Sequence, residues 1–250
     1  MRFVASFILL VSAIFLAENV VSLSSESCKS YDAAKLYADA TEIVNEVDSL
    51  LPSYRTASGV LVTIVDEDDG EESGGGTNTD GSYQTFIFNG TEIFPDGICD
   101  IPTNDGNSRC DSENGGSTIT YLLGPADVIA FVACSPPEMR YFSYDTIIST
   151  RLTEEYPFYP GQPFGDTISH MSINTSEIGN AFNQPILVVL SADYKAAQTV
   201  ADAYISTNKI SASSVSIHGI DANTVRLWDR SNGQTWQESA PDILSMAVIW

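Results

Sequence analysis

From Phe3 to Ala17 the chain is an almost unbroken apolar run, preceded by Arg2 and followed by the small residues Val20, Val21 and Ser22. A basic start, a short apolar stretch and small residues at a cleavage point are the layout of a secretory leader. The run falls short of the roughly 20 apolar residues that a spanning helix needs, and Glu18 and Asn19 interrupt it. Cleavage after Ser22 is expected, making residues 1–22 a signal peptide and residues 23–250 one secreted domain. No membrane span is expected after cleavage, because the longest later apolar stretches, Val128–Cys134 and Ile186–Leu190, are strand-sized.

Secretion changes how the cysteines read. Cys28, Cys99, Cys110 and Cys134 all follow the leader, and an even number in an oxidising compartment predicts disulfides. The expected pairs are Cys99–Cys110, closing the polar loop from Asp100 to Arg109, and Cys28–Cys134, tying an N-terminal helix to a buried strand. Closing the short loop contributes on the order of 3 kcal/mol in the chain-entropy view. Zinc is disfavoured, since there is no Cys-x-x-Cys and neither histidine lies near a cysteine in sequence. The triplets Asn89-Gly90-Thr91 and Asn174-Thr175-Ser176 fit N-glycosylation in the same pathway.

The net charge is −22, and residues 66–116 carry thirteen acids, one arginine and ten of the seventeen glycines. Such a surface repels nucleic acid and anionic membranes, so neither is an expected partner. This segment reads as an acidic, Gly-rich loop insertion with one short hairpin arm around Tyr83–Phe88. Its densest part, Asp66 to Glu72, does not fit an EF-hand, because glycine falls at the fifth position and Thr77 at the twelfth. Loose calcium binding by Asp66, Asp68 and Asp69 is the most metal chemistry expected there. No other cofactor is expected, since Gly-x-Gly-x-x-Gly, phosphate-loop and His-Glu-x-x-His motifs are all absent.

Periodicity predicts an α+β fold, a mixed sheet with an N-terminal helix and one β-α-β crossover near the C-terminus. Ser30 to Leu51 carries apolar residues at three- and four-residue steps and stops at Pro52. Val60–Val65, Thr118–Leu123, Val128–Cys134, Met139–Ile148 and Ile168–Ile173 read as strands. Pro185–Leu190, the helix Asp193–Ser206 and Val215–Ile217 form the crossover. Val225–Trp228 and Ile243–Ile249 are expected as edge strands.

Chemistry is sparsely signposted. There is no Gly-x-Ser-x-Gly elbow. Asp166 and His170, four apart beside several hydroxyls, are the candidate catalytic pair of a hydrolase. A carboxylate pair drawn from Asp145, Glu154, Glu155 and Asp193 is the alternative. The densest feature is aromatic: Tyr141, Phe142, Tyr144, Tyr156, Phe158, Tyr159 and Phe164 fall within 24 residues, with Arg140 and Arg151 in or beside them. Aromatic faces with a forked cationic donor suit a sugar or an anionic small molecule. The leading expectation is a binding protein using Arg140, Tyr141, Tyr144, Arg151, Tyr156 and Tyr159, with a secreted hydrolase and an ion-buffering acidic matrix protein as the other readings.

Overall fold

The computed structural model describes residues 6–12, 28–29, 33–52, 54–64, 83–89, 117–118, 120–152, 157–158, 162–163, 167–234 and 236–249. These form an α+β fold. The strands are β1 (Ser6–Ser12), β2 (Tyr54–Ile64), β3 (Tyr83–Asn89), β4 (Ser117–Thr118), β5 (Thr120–Tyr121), β6 (Val128–Cys134), β7 (Ser143–Leu152), β8 (Pro157–Phe158), β9 (Gln162–Pro163), β10 (Ile168–Ser169), β11 (Pro185–Ser191), β12 (Val215–Gly219) and β13 (Ile243–Ile249). The main helices are α1 (Ala33–Leu50) and α2 (Tyr194–Ser206). The sheet runs β10-β7-β13-β3-β2-β1-β6-β11-β12, with the short strands pairing beside this path.

The sequence Val128-Ile-Ala-Phe-Val-Ala-Cys134 has no polar alternation, which marks a strand covered on both faces. All seven residues of β6 are buried, as are all seven of β11. The two pair antiparallel from Pro185↔Cys134 to Ser191↔Val128. Val128, Ala130 and Val132 with Leu187 and Val189 pack beneath α1 and α2, against Ile43, Val47, Val200 and Tyr204. Ile129, Phe131 and Ala133 with Ile186, Val188 and Leu190 enter a second core, shared with Tyr121, Tyr144, Leu244 and Trp228. Phe131 of β6 lies 5.0 Å from Tyr144 of β7, ring centre to ring centre, although four strands separate them in the sheet order. The sheet therefore curls until its two arms pack together.

The helices follow their patterns. Ala40, Ile43, Val47 and Leu51 are the buried stripe of the first helix region. Asp193 caps α2, accepting from Lys195 N at 2.8 Å and Ala196 N at 3.3 Å, which satisfies two donors that the helix itself cannot. β11, α2 and β12 make the parallel crossover, with Leu187↔Val215 through Ser191↔Gly219 in register. Cys28 is bonded to Cys134, linking the start of the α1 region to the end of β6 across 106 residues. Cys99 and Cys110 lie outside the described residues.

Three expectations change. Ile243–Ile249 is an internal strand between β7 and β3, not an edge. Its run of apolar residues fits pairing on both sides. Tyr83–Asn89 is a strand of the main sheet, antiparallel to β2 and β13, where a separate hairpin arm was expected. Val225–Trp228 is not a strand. Val225 and Trp228 pack into the second core from a loop, and Trp228 N donates to Leu123 O. Residues 6–12, which fall within the segment expected as a leader, form a strand between β2 and β6, parallel to both. An uncharged apolar stretch satisfies a leader or a buried parallel strand equally well, so sequence pattern does not separate the two.

A disulfide closing about 100 residues contributes about 4–5 kcal/mol in the chain-entropy view. Replacing Cys28 and Cys134 together by serine is expected to remove most of that. The urea unfolding midpoint should fall by about 2 M for a slope near 2 kcal/mol per M.

Candidate functional site

The described part of the aromatic segment divides at the entry to β7, with Tyr141 exposed and the residues from Phe142 to Thr146 buried. Phe142 and Tyr144 are fully buried in the second core, their rings 5.7 Å apart in an edge-to-face contact. Burial pushes the Tyr144 phenol far up, so it neither ionises at ordinary pH nor reaches solvent. Tyr141 precedes the strand, is 44% exposed, and follows the exposed Arg140.

The partner of Tyr141 comes from β10 and the turn after it. β10 is antiparallel to β7, with Ser169↔Ser143 and Ile168↔Tyr144 in register. His170 extends this ladder by donating its backbone N–H to Phe142 O at 3.2 Å. Its imidazole meets Tyr141 edge-on at 5.5 Å and stacks on Phe182 at 6.1 Å, tilted by 21°. Phe142 backs the same ring at 6.1 Å. Phe182 is held by its own loop, where Phe182 N donates to Asn180 Oδ1 and Asn183 N to Pro136 O. Asn183 takes φ 53°, a left-handed conformation that asparagine tolerates better than most residues.

His170 Nδ1 is sealed from solvent with no hydrogen-bond partner. A buried acceptor without a partner is tolerated more readily than a buried N–H donor without one. In the neutral ring the tautomer with its proton on Nε2 is therefore favoured.

The hydroxyls expected to serve a hydrolase near His170 are engaged in the turn. Ser169 Oγ accepts from Met171 N, and Ser172 Oγ accepts from Ser169 N while lying within donating distance of Thr167 O. No described carboxylate or hydroxyl is bonded to His170 Nδ1. Asp166 lies outside the described residues, as do Tyr156, Tyr159, Glu154, Glu155, Asp66, Asp68 and Asp69. Of the other carboxylates, Asp193 caps a helix. Asp145 is buried, its Oδ2 accepting from Ser143 Oγ at 3.1 Å and its Oδ1 unpartnered. Asp145 and Asp193 are not brought together by any hydrogen bond.

Arg151 stands at the far end of β7 from Tyr141, ten residues along the chain. Its Nε and Nη2 donate to Asp242 Oδ1 and Oδ2 at 2.8 and 2.6 Å, and Nη2 also donates to Thr224 O. The hydrogen bond to Asp242 raises its pKa further. Arg151 thus joins β7 to the 221–228 loop and to the start of β13. Nothing in the residue pattern pointed to Asp242 as its partner, 91 residues away.

A second ionic group was also missed. Asp127 Oδ2 accepts from Gly124 N and from Arg230 Nη1, both at 2.6 Å, and the Arg230 guanidinium lies 4.3 Å from the Trp228 ring centre. A Cβ at Gly124 would stand 2.8 Å from Arg230 Nη1, so a larger residue there would displace the guanidinium from this position. The Gly124-Pro125 break was legible in sequence only as a turn.

Of the glycosylation candidates, Asn89 ends β3, paired with Ser117, and Asn174 lies on an exposed turn. Among the described residues no group of three or more His, Cys, Asp or Glu is arranged to hold a metal, and no helix is long and apolar enough to cross a membrane. No protein-family model, curated protein or solved structure matches the chain.

Breaking a buried ion pair by removing one partner costs about 3–5 kcal/mol, and the lower end applies where the arginine stays partly in water. The Arg151 and Asp242 side chains are 30% and 0% exposed. Arg151→Ala is expected to lower stability by about 3 kcal/mol in urea unfolding while leaving the Tyr141–His170 contact intact by NMR.

Proposed function

We propose that the protein is a secreted binding protein that holds a sugar ring, or a small molecule of similar shape, on the surface formed by Tyr141 and His170. The observation that carries this reading is an exposed tyrosine face set edge-on against an imidazole, which is itself backed by Phe142 and Phe182. A pyranose stacks its C–H face on such a ring, and its hydroxyls accept from an outward donor. His170 Nε2–H supplies that donor. Arg140 supplies a planar cation for ligands that carry a carboxylate. In a chain of net charge −22, a cation beside the aromatic face sets a preference for acidic over basic sugars.

The test is a glycan array probed with the secreted full chain, followed by calorimetric titration of the hits. Tyr141→Ala and His170→Ala are each expected to weaken binding about tenfold, the size of one lost aromatic contact with its buried area. Arg140→Gln is expected to weaken carboxylate-bearing ligands selectively. Tyr144→Phe should change nothing, because that hydroxyl is buried and unpartnered. Silence across neutral, amino and acidic sugars contradicts the reading.

A further inference from the structure

The chain has four methionines, Met1, Met139, Met171 and Met246. Met1 lies outside the described residues, and the other three differ in their access to water. Met246 of β13 is 1% exposed in the second core. Met139 is partly buried and packs against the same core. Met171 is 85% exposed. Oxidation of a methionine follows the access of oxidant to its sulfur, so burial ranks Met171 first of the three.

Its position gives that ranking a consequence. Met171 follows His170 in the turn after β10, and the turn is tied down around it. Met171 N donates to Ser169 Oγ at 3.2 Å, while Ser172 N and Ile173 N both donate to Ser169 O. The imidazole of the preceding residue, His170, meets Tyr141 edge-on and stacks on Phe182. A hydrogen-bonded turn thus holds an exposed, apolar and oxidisable side chain one residue from the candidate surface.

We propose that Met171 is an oxidation site at the margin of the Tyr141–His170 surface. A peroxide converts its thioether to the sulfoxide ahead of Met139 and Met246, and the margin turns polar while the fold is kept. The step balances at sulfur. A sulfur lone pair attacks one peroxide oxygen, and the S–O bond forms as the O–O bond breaks. The departing hydroxide takes the proton from the transferred oxygen and leaves as water. Sulfur is oxidised by two electrons and the peroxide is reduced by two. Two thiols reverse the change, becoming a disulfide and releasing the oxygen as water. The Met171 side chain already lies in water, so the added S–O dipole disturbs no packing. The same oxygen on Met246 would enter the core that holds Tyr144 and Leu244. The effect on a bound sugar rests on the function proposed above, and the oxidation site does not.

The experiment treats the full chain with dilute hydrogen peroxide and follows each methionine by peptide mass spectrometry. Met171 is expected to gain oxygen at least about tenfold faster than Met139 and Met246. The singly oxidised chain is expected to elute earlier from a hydrophobic-interaction column, with its thermal midpoint within about 2 °C of the parent. Met171→Leu keeps an apolar side chain without the sulfur, and its elution is expected to stay unchanged through the same treatment. Glycan-array hits of the parent are expected to weaken at least about threefold on oxidation, the size of one lost sulfur–aromatic or apolar contact. Comparable rates at the three methionines overturn the site, and so does unchanged elution of the oxidised parent. A midpoint lowered by more than about 5 °C overturns the claim that the fold is kept. Hits bound equally before and after oxidation overturn the effect on binding. An array silent with the untreated parent contradicts the sugar reading alone, and Met171 is then decided by its rate and its elution.

Discussion

The antiparallel pair β6–β11 is the constraint on which the other elements depend. Both strands are buried along their whole length, so every neighbour must cover one of two apolar faces. On one side α1 and α2 do so with Ile43, Val47, Val200 and Tyr204. On the other, among the described residues, the sheet's own far arm supplies the covering apolar surface, and the sheet curls to bring it there. Phe131 against Tyr144 marks that closure. The Cys28–Cys134 bond fastens the start of the first helix region to the end of the same pair. Apolar burial sets this arrangement, and the covalent link narrows the unfolded chain rather than creating the fold.

Cations are scarce here, 11 lysines and arginines against 33 acids, and the structure places two arginines on buried acids. Arg151 is held bidentate by Asp242, and Arg230 is bonded to Asp127. Each pair ties a loop to a strand: the 221–228 loop to β7, and the 229–232 turn to the start of β6. A partly buried bidentate pair is directional, so its contribution lies in fixing one loop geometry as much as in net stability. Lys209 with Glu42 and Glu46 is exposed, and such pairs contribute little. Arg140, next to Tyr141 in the chain, is exposed, and the proposed preference for acidic ligands rests on it.

Much of the fold was legible in sequence, for physical reasons that differ by element. The two helices showed because a 3.6-residue apolar period survives any tertiary context. The crossover showed because a buried apolar strand followed by a capped helix has few alternatives. Cys28–Cys134 followed from an even number of cysteines after an expected leader and from a helix that needed tying to a buried strand. The site was only partly legible. Seven clustered aromatics gave the region, but a strand sends neighbours to opposite faces. Without the register, Tyr144 in the core and Tyr141 at the surface look alike. Arg151 looked like a ligand group because Asp242 is 91 residues away. His170 was singled out for catalysis, and its aromatic surroundings came from Phe182, a residue with no motif around it. The Ser6–Ser12 strand was not foreseen, since its composition serves a leader and a buried strand alike.

In the function proposed here His170, sealed at Nδ1 and flanked by Tyr141, acts as a hydrogen-bond donor to the ligand and not as a catalytic base. The most direct measurement is a long-range ¹H–¹⁵N spectrum of the His170 imidazole, recorded free and during titration with a bound sugar. The expected result is the Nε2–H tautomer in the free protein and a saturable shift of Nε2, accompanied by the Tyr141 ring protons. A proton on Nδ1 in the free protein, or Nε2 and Tyr141 signals unmoved at saturation, would contradict it.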